Sequence, residues 1–242
     1  MTQGALFPLK VKHHQGPRGA GKDLCVEAIA EDGMEWALKR QAEHPMLPAS
    51  EFLCYRLAQA CALATPLDAI LTDTDGELVF GSRIEAGLVE LSKLPQAEVI
   101  QRISTCAGRM SACYALDLLL GNEDRHFGNF LFRQRADGAL ACIVIDWSRA
   151  WWVRGWPPQN ICGRACATTT HMGIMRAIGL WSAPDALLTL GTASAITPPS
   201  VSRWLDDMPS QWLSSAERVT LSAWWGSTAF HERISQCVAH CR

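Results

Sequence analysis

The chain has no basic excess. Its 242 residues carry 22 Lys and Arg against 24 Asp and Glu, a formal charge of −2. A non-specific nucleic-acid binder carries a clear positive surplus, so that class is disfavoured. No signal-peptide start is visible, because Met1–Lys10 lacks a basic opening followed by an apolar stretch. No apolar run has spanning length. The longest uncharged stretch of note, Ala186–Ser202, is broken by Pro198-Pro199 and by several Thr and Ser, where a span needs about 20 apolar residues. Internal repeats, low-complexity linkers and Cys-x-x-Cys pairs are also missing. These absences point to a soluble, cytoplasmic protein. With 48% hydrophobic and 19% charged residues the chain is not disordered, and its length suffices for one large domain or two lobes.

Ten cysteines are present. Cys54 and Cys61, and again Cys106 and Cys113, are seven apart in apolar-periodic segments, a spacing that returns almost to the same helix face; they read as small core residues. Cys162, Cys166, Cys237, His240 and Cys241 are the alternative, a metal site, although zinc favours tighter pairs. Nine of the ten tryptophans fall between Trp147 and Trp225. Packing between helices accounts for them better than a ligand cage does.

The first part of the chain reads β-β-α-β-β. Leu24–Ala30 and Met34–Lys39 turn around Asp32-Gly33; Leu67–Thr72 and Glu77–Ser82 turn around Asp75-Gly76. Between them Ser50–Ala64 reads as a helix, with Ser50 as N-cap, an apolar stripe at Leu53, Leu57, Ala60 and Cys61, and Pro66 as its stop. A long helix over about Gln96–Leu120 follows from Val99, Ile100, Ile103, Ala107, Met110 and Tyr114, ended by Gly121-Asn122. Two strands, Asn129–Phe132 and Leu140–Ile145, turn at Asp137-Gly138. The remainder, from about Arg149, reads mainly helical.

One stretch carries chemistry: Gly121-Asn122-Glu123-Asp124-Arg125-His126-Phe127-Gly128-Asn129, with Asp146 seventeen residues beyond Asn129. The hairpin returns Asp146 to the side of Asn129 and Asp124, so three oxygen-bearing side chains are expected to converge. Such oxygens suit Mg²⁺, a hard ion that keeps room for waters and phosphate oxygens. Asn129 supplies a neutral oxygen and Asp146 an anionic one, while Asp124 orients an attacking hydroxyl or accepts its proton. The spacing matches the catalytic loop and metal-binding Asp of kinases.

The Gly-Asn-x-Asp-Arg-His-x-x-Asn-x-Leu pattern resembles the HipA-like kinase family, in its stand-alone kinase-domain form, and is shared with phosphatidylinositol 3/4-kinases. The resemblance runs over roughly Gln15 to Trp147 and is strongest at 121–146. It departs after the metal Asp, where the family often has Gly; here Trp147-Ser148 come next. It implies an α+β, bilobal protein-kinase-like fold: residues 1–82 as a small β-rich N-lobe with one key helix, and 83–242 as a larger, mainly helical C-lobe.

The N-terminal part fits the same reading. Glu35-Trp36-Ala37-Leu38-Lys39 resembles the strand that carries the phosphate-binding Lys. Ala37 and Lys39 share a face, Ala37 toward the adenine and Lys39 toward the phosphates, with Trp36 and Leu38 opposite. Glu51, followed by Leu57-Ala58, stands where the resemblance places the partner of Lys39; favourable placement near a helix N-terminus is its alternative explanation. Gly16-Pro17-Arg18-Gly19-Ala20-Gly21-Lys22-Asp23 contains Gly-x4-Gly-Lys, yet a Walker A reading fails. Asp23 replaces the Ser or Thr, a strand follows instead of a helix, and no suitable acidic strand comes after. Gly16, Gly19 and Gly21 are instead expected to form a glycine loop over the phosphates, with Lys22 adding charge; a solvated turn is the alternative. Gly81, in Phe80-Gly81-Ser82-Arg83, falls where the chain crosses between lobes and meets the adenine edge. Arg125 braces the catalytic loop. His126 either touches the γ-phosphate or is a structural loop residue.

Three functions remain open. The first is an ATP- and Mg²⁺-dependent kinase acting on protein Ser or Thr hydroxyls. The second is a small-molecule or phosphoinositide kinase, for which Arg149, Arg154 and Arg164 supply a scattered basic segment. The third is a non-catalytic nucleotide-binding module. The resemblance also implies an antitoxin-type protein partner. The family's autophosphorylation on a glycine-loop Ser has no acceptor here, since residues 13–23 contain neither Ser nor Thr.

Overall fold

The computed structural model describes residues 8–15 and 26–242. Gly16, Gly19, Gly21 and Lys22, together with the first residues of the expected strand Leu24–Ala30, lie outside the described residues.

Strands β1 (Leu9–Gln15), β2 (Val26–Ala30) and β3 (Glu35–Lys39) precede helix α1 (Leu47–Ala60), and β4 (Asp68–Thr72) and β5 (Leu78–Arg83) come after it. They close into a small barrel of order β1-β2-β3-β5-β4, with a parallel β4–β1 seam at Leu9–Leu71 and Lys10–Thr72. Both expected hairpins are present: β2 pairs with β3 and β4 with β5, antiparallel. β1 is an added strand. Its LKVKHHQ sequence is too polar to announce burial, and only Val11 is buried. On β3 the alternation falls as expected, with Trp36 and Leu38 buried inside and Ala37 and Lys39 on the other face.

Helix α1 begins at Leu47, three residues before the expected cap. Pro48 lies in its first turn, where a missing N–H costs nothing. Ser50 is therefore inside the helix, its hydroxyl donating to the Ala150 carbonyl at 3.2 Å. Ala60 is exposed rather than part of the apolar stripe. The helix ends well before Pro66, at Cys61 and the left-handed Ala62 (φ 56°).

Beyond β5, β6 (Val89–Glu90), β7 (Phe130–Gln134) and β8 (Leu140–Val144) form a second, three-stranded sheet. Helix α2 (Gln96–Leu120) ends at the left-handed Gly121, as its periodicity and Gly-Asn signal predict. From Met110 onward every residue of α2 is buried, so its C-terminal half is central to the main core, whereas Ile100 near its start is exposed. Helices α3 (Trp151–Arg154), α4 (Ala167–Ala177), α5 (Ala183–Ala195), α6 (Pro198–Asp206), α7 (Ser215–Trp224) and α8 (Thr228–Cys241) complete the described chain. The tryptophans pack as a helical core. Trp151 stacks on Trp156 and Trp225, with ring centroids 5.4 and 6.1 Å apart, and Trp225 meets Phe230 at 4.6 Å. Cys54, Cys61, Cys106 and Cys113 are buried in the same core. No described helix is long and apolar enough to cross a membrane.

Gly81 is mid-strand in β5, opposite Leu38 and Ala69. A Cβ there would lie 2.0 Å from Leu71 Cδ1 and 3.2 Å from the Trp36 ring, so glycine is required by the packing of the barrel interior. Gly81→Ala is expected to lower stability by about 1–3 kcal/mol through overpacking. Leu71→Ala introduced in the same chain should recover part of that loss in urea unfolding.

Candidate active site

The barrel's β3 and the helix α1 face the end of β8. Lys39 Nζ lies 3.5 Å from Glu51 Oε1 and 3.3 Å from Asp146 Oδ1, and donates to the Ser148 hydroxyl at 2.6 Å. Glu51 stands one turn inside α1 and is buried, so pairing with Lys39 explains it better than placement at the helix N-terminus. The Glu51 carboxylate also accepts the Trp147 N–H at 3.1 Å and the Ser148 hydroxyl at 3.0 Å. Burial pushes the Glu51 carboxyl above its ordinary range, against the pull of Lys39. Asp146 responds the other way. Burial opposes its charge, but the Lys39 ammonium and the Ser148 hydroxyl and amide hold it well below the usual range. Its side chain keeps 35% exposure, so it stays open to a ligand.

Asp146 has φ of 67°. Asp tolerates this left-handed region better than most residues, and such conformations gather at functional sites. The turn brings the Ser148 N–H to Asp146 Oδ1 at 3.1 Å and drives Trp147 into the core, its ring 5.3 Å from Tyr55. Ser148 is therefore a polar hub, and sequence reading missed it.

The catalytic-loop candidates sit against the same strand end. Phe130 pairs with Val144, and the Asn129 carbonyl accepts the Ile145 N–H at 3.2 Å, so Asp146 comes one residue past the pairing with Asn129. Asn129 is buried, and its Oδ1 accepts the His126 N–H at 3.1 Å. His126 Nδ1 accepts the Gly128 N–H at 3.0 Å, which in the neutral ring leaves the proton on Nε2. A Cβ on Gly128 would be 2.9 Å from that imidazole, so the glycine fits the turn. Asp124 is half-buried in the same loop, its N–H donating to Asn122 Oδ1 at 3.4 Å.

Arg125 braces this loop from inside the core. Its Nε and Nη2 reach the two oxygens of Asp117 at 2.7 and 3.2 Å, its Nη1 donates to the Ile145 carbonyl, and its guanidinium lies 4.8 Å over the Trp147 ring. Both partners are fully buried. Burial acts against the arginine's charge, yet Asp117 raises its pKa above the ordinary value. Asp117 also accepts the Asn122 amide at 2.8 Å. It, too, went unread. The signal was a lone acid in the apolar run Ala115-Leu116-Asp117-Leu118-Leu119-Leu120.

Further contacts hold the loop to the segment after Asp146. Glu123 takes Arg154 at 2.7 Å and also Arg164, so two of the three arginines that suggested a basic segment are engaged with one acid. The Thr168 hydroxyl accepts the Arg125 N–H and donates to the Asn122 carbonyl. Arg233 of α8 donates to the Leu118, Leu119, Pro158 and Gln159 carbonyls, capping the end of α2.

Asn129 and Asp146, brought to neighbouring positions by the Asn129–Ile145 backbone pairing, would be the residues to offer oxygen to a hard cation, and among the described residues no three His, Cys, Asp or Glu gather into a protein-only metal cage. The glycine-loop candidates Gly16, Gly19, Gly21 and Lys22 lie outside the described residues; Ala37 shares its face with Lys39, and Gly81 is directed into the barrel.

Breaking the Arg125–Asp117 pair should be costly. Arg125→Met strands a buried carboxylate and is expected to lose about 3–5 kcal/mol in urea unfolding. Adding Asp117→Leu should return a substantial part of it, since an apolar pair leaves no charge unpaired.

No family model matches the chain, and no curated protein matches it. Solved structures do. A Helicobacter pylori proinflammatory kinase, CtkA, is 16% identical, with 97% of this chain and 95% of that chain covered, at a TM-score of 0.58. HipA of Shewanella oneidensis MR-1, solved in a toxin–antitoxin complex with HipB and operator DNA, is 13% identical over 94% of this chain and 62% of its own, at 0.48. This chain thus spans less than two thirds of that HipA. A Golgi casein kinase with Mn/ADP bound is 13% identical over 97% of this chain and 72% of its own, at 0.46. The likeness to CtkA shows that this mixed α/β chain has a kinase-like fold along nearly its whole described length.

Proposed function

We propose that this protein is an ATP- and Mg²⁺-dependent phosphotransferase of the HipA-like type, transferring phosphate to Ser or Thr hydroxyls of a protein. The observation that carries the reading is the Lys39 ammonium shared between Glu51 and Asp146, 3.5 and 3.3 Å away, since these residues come from β3, α1 and the end of β8. A strand Lys held by a helix acid and facing the metal Asp is the arrangement phosphoryl transfer by kinases requires.

In this proposal residues 1–82 form one lobe and 83–242 the other, with the nucleotide between them. Lys39 contacts the α/β-phosphates and Glu51 orients it. The glycine loop, with Gly16, Gly19, Gly21 and Lys22, covers the phosphates, and Ala37 lies against the adenine. Asn129 and Asp146 would hold Mg²⁺, which when bound neutralises charge on the phosphate oxygens. Asp124 aligns the acceptor hydroxyl and takes its proton, and His126 presents its Nε2 proton toward the transferred phosphate. The protein acts in the cytoplasm, with an antitoxin-type protein partner.

Asp124→Ala and Asp146→Ala are each expected to lower transfer from radiolabelled ATP to a protein acceptor by at least about 10²-fold. Activity near wild type in both variants overturns the assignment. Transfer to phosphoinositides or small alcohols but to no protein would move it to the second class of kinase. Ser148→Ala should keep the fold but reduce transfer by roughly tenfold, because Lys39 and Asp146 lose their common partner. An unchanged rate in that variant would remove Ser148 from the site.

A further inference from the structure

Three successive residues of α1 reach three different partners. The Ser50 hydroxyl donates to the Ala150 carbonyl at 3.2 Å, Glu51 holds Lys39 and the Ser148 hydroxyl, and the Phe52 ring meets the Trp212 indole edge-on, with centroids 6.3 Å apart. Neighbouring residues on a helix point about 100° apart, so these contacts together fix how far α1 is rotated about its own axis. Ser50 and Glu51 are tied to the 147–150 segment. Phe52 is held from much further along the chain, by the 207–214 loop between α6 and α7.

Arg218 of α7 sets the shape of that loop. Its guanidinium donates to the Leu213 carbonyl at 3.1 Å, to those of Met208 and Pro209 at 3.0 and 2.9 Å, and to that of Leu205 in α6. Trp212 projects from the loop and is buried, with 1% exposure, and its indole N–H donates to the Leu78 carbonyl at the start of β5 at 2.8 Å. The neighbouring Gln211 carbonyl accepts the Gln41 side-chain amide at 3.2 Å. Gln41 lies two residues after Lys39. Leu78 lies two residues before Phe80, which pairs with Lys39 across β3 and β5. One loop therefore touches the helix that carries Glu51, the chain just past the strand that carries Lys39, and the strand beside it.

We propose that Trp212 is a positioning residue for the Lys39–Glu51 pair, pinning α1 to the barrel at the rotation that keeps the Glu51 carboxylate on the Lys39 ammonium; its bearing on catalysis rests on the kinase reading above. The lever is short. A carboxylate about 6 Å from a helix axis moves by about 1 Å when the helix turns by about 10°. Lys39 and Glu51 are already 3.5 Å apart, so such a turn separates them. Trp212 opposes it at two points, through its ring against Phe52 and through its N–H on β5, while Arg218 keeps the loop from following the helix. Phosphoryl transfer depends on a strand Lys held at the phosphates, so a residue remote from the nucleotide controls the reaction through α1.

The test uses the full chain and begins with a readout independent of phosphate transfer. Lys39 keeps 12% side-chain exposure and Lys93 69%, so brief acetic anhydride treatment and mass spectrometry can compare a guarded amine with an open one. Trp212→Phe keeps a ring against Phe52 and removes the N–H. It should raise Lys39 labelling relative to Lys93 by at least about threefold, and add nothing further in a Glu51→Gln chain, where the pair is already weakened. An equal rise in both backgrounds, as from looser packing alone, overturns the proposal, and so does no rise in either. In transfer from ATP, folded Trp212→Phe should lose about tenfold in kcat, and an unchanged kcat overturns the catalytic role. Absence of transfer by the wild-type chain would instead overturn the kinase reading and leave the labelling result standing. If circular dichroism shows Trp212→Phe unfolded, hydrogen exchange on the wild-type chain decides: the amides of 50–53 and of 208–213 should open as one unit. A loop that exchanges freely while those α1 amides stay protected overturns the proposal.

Discussion

One ammonium group placed among three oxygens is the constraint on which the site rests. Lys39 is anchored on a barrel strand, Glu51 on a helix and Asp146 on the end of a hairpin. A buried carboxylate such as Glu51 is unfavourable unless a cation and hydrogen-bond donors meet it. Lys39, the Trp147 amide and the Ser148 hydroxyl all do so. Each of these depends on the others being in place, so the small barrel, α1 and the hairpin are fastened to one another at the spot where chemistry is proposed. Polar satisfaction and functional arrangement are here the same set of contacts.

A second buried pair does for the 121–129 loop what Lys39 does for β3, α1 and the end of β8. Arg125 lies between Asp117 of the central helix and the Ile145 carbonyl that precedes Asp146, with Trp147 against its guanidinium face. The 121–129 loop and the Asp146 turn are therefore set by one planar group whose fork geometry admits few alternatives. Glu123 and Thr168 attach the same loop to the segments beyond Asp146, and Arg233 of α8 holds the end of α2 that leads into it. A loop carrying half-buried polar side chains thus holds its shape through its neighbours in the core, with little regular structure of its own.

Much of this was legible from local pattern. The Asp-Gly and Gly-Asn turns, the alternation on Trp36-Ala37-Leu38-Lys39 and the long period of α2 each declare themselves within a few residues, because turn chemistry and side-chain periodicity are local properties. The loop's Asp-x4-Asn spacing and the later Asp146 were likewise visible, while the pairing of Lys39 with Glu51 followed only from the resemblance to HipA-like kinases. The features that escaped notice are non-local. β1 is polar and gains its place from the β2 ladder and the β4 seam. Ser50 looked like a cap, yet Pro48 allowed the helix to start earlier. Gly81 was read as lying where the chain crosses between lobes, whereas the Leu71 and Trp36 side chains that leave no room for a Cβ come from distant parts of the barrel. Asp117 and Ser148 act through partners 8 and 109 residues away, Arg125 and Lys39, and the second of those distances leaves no trace in a short window of sequence.

The seam between β4 and β1 has a consequence for recognition. Over Leu9–Lys10 and Leu71–Thr72 each strand occupies the other's edge, so another polypeptide cannot add a strand there. A macromolecule that docks along that seam is met by side chains and surface shape rather than by backbone pairing.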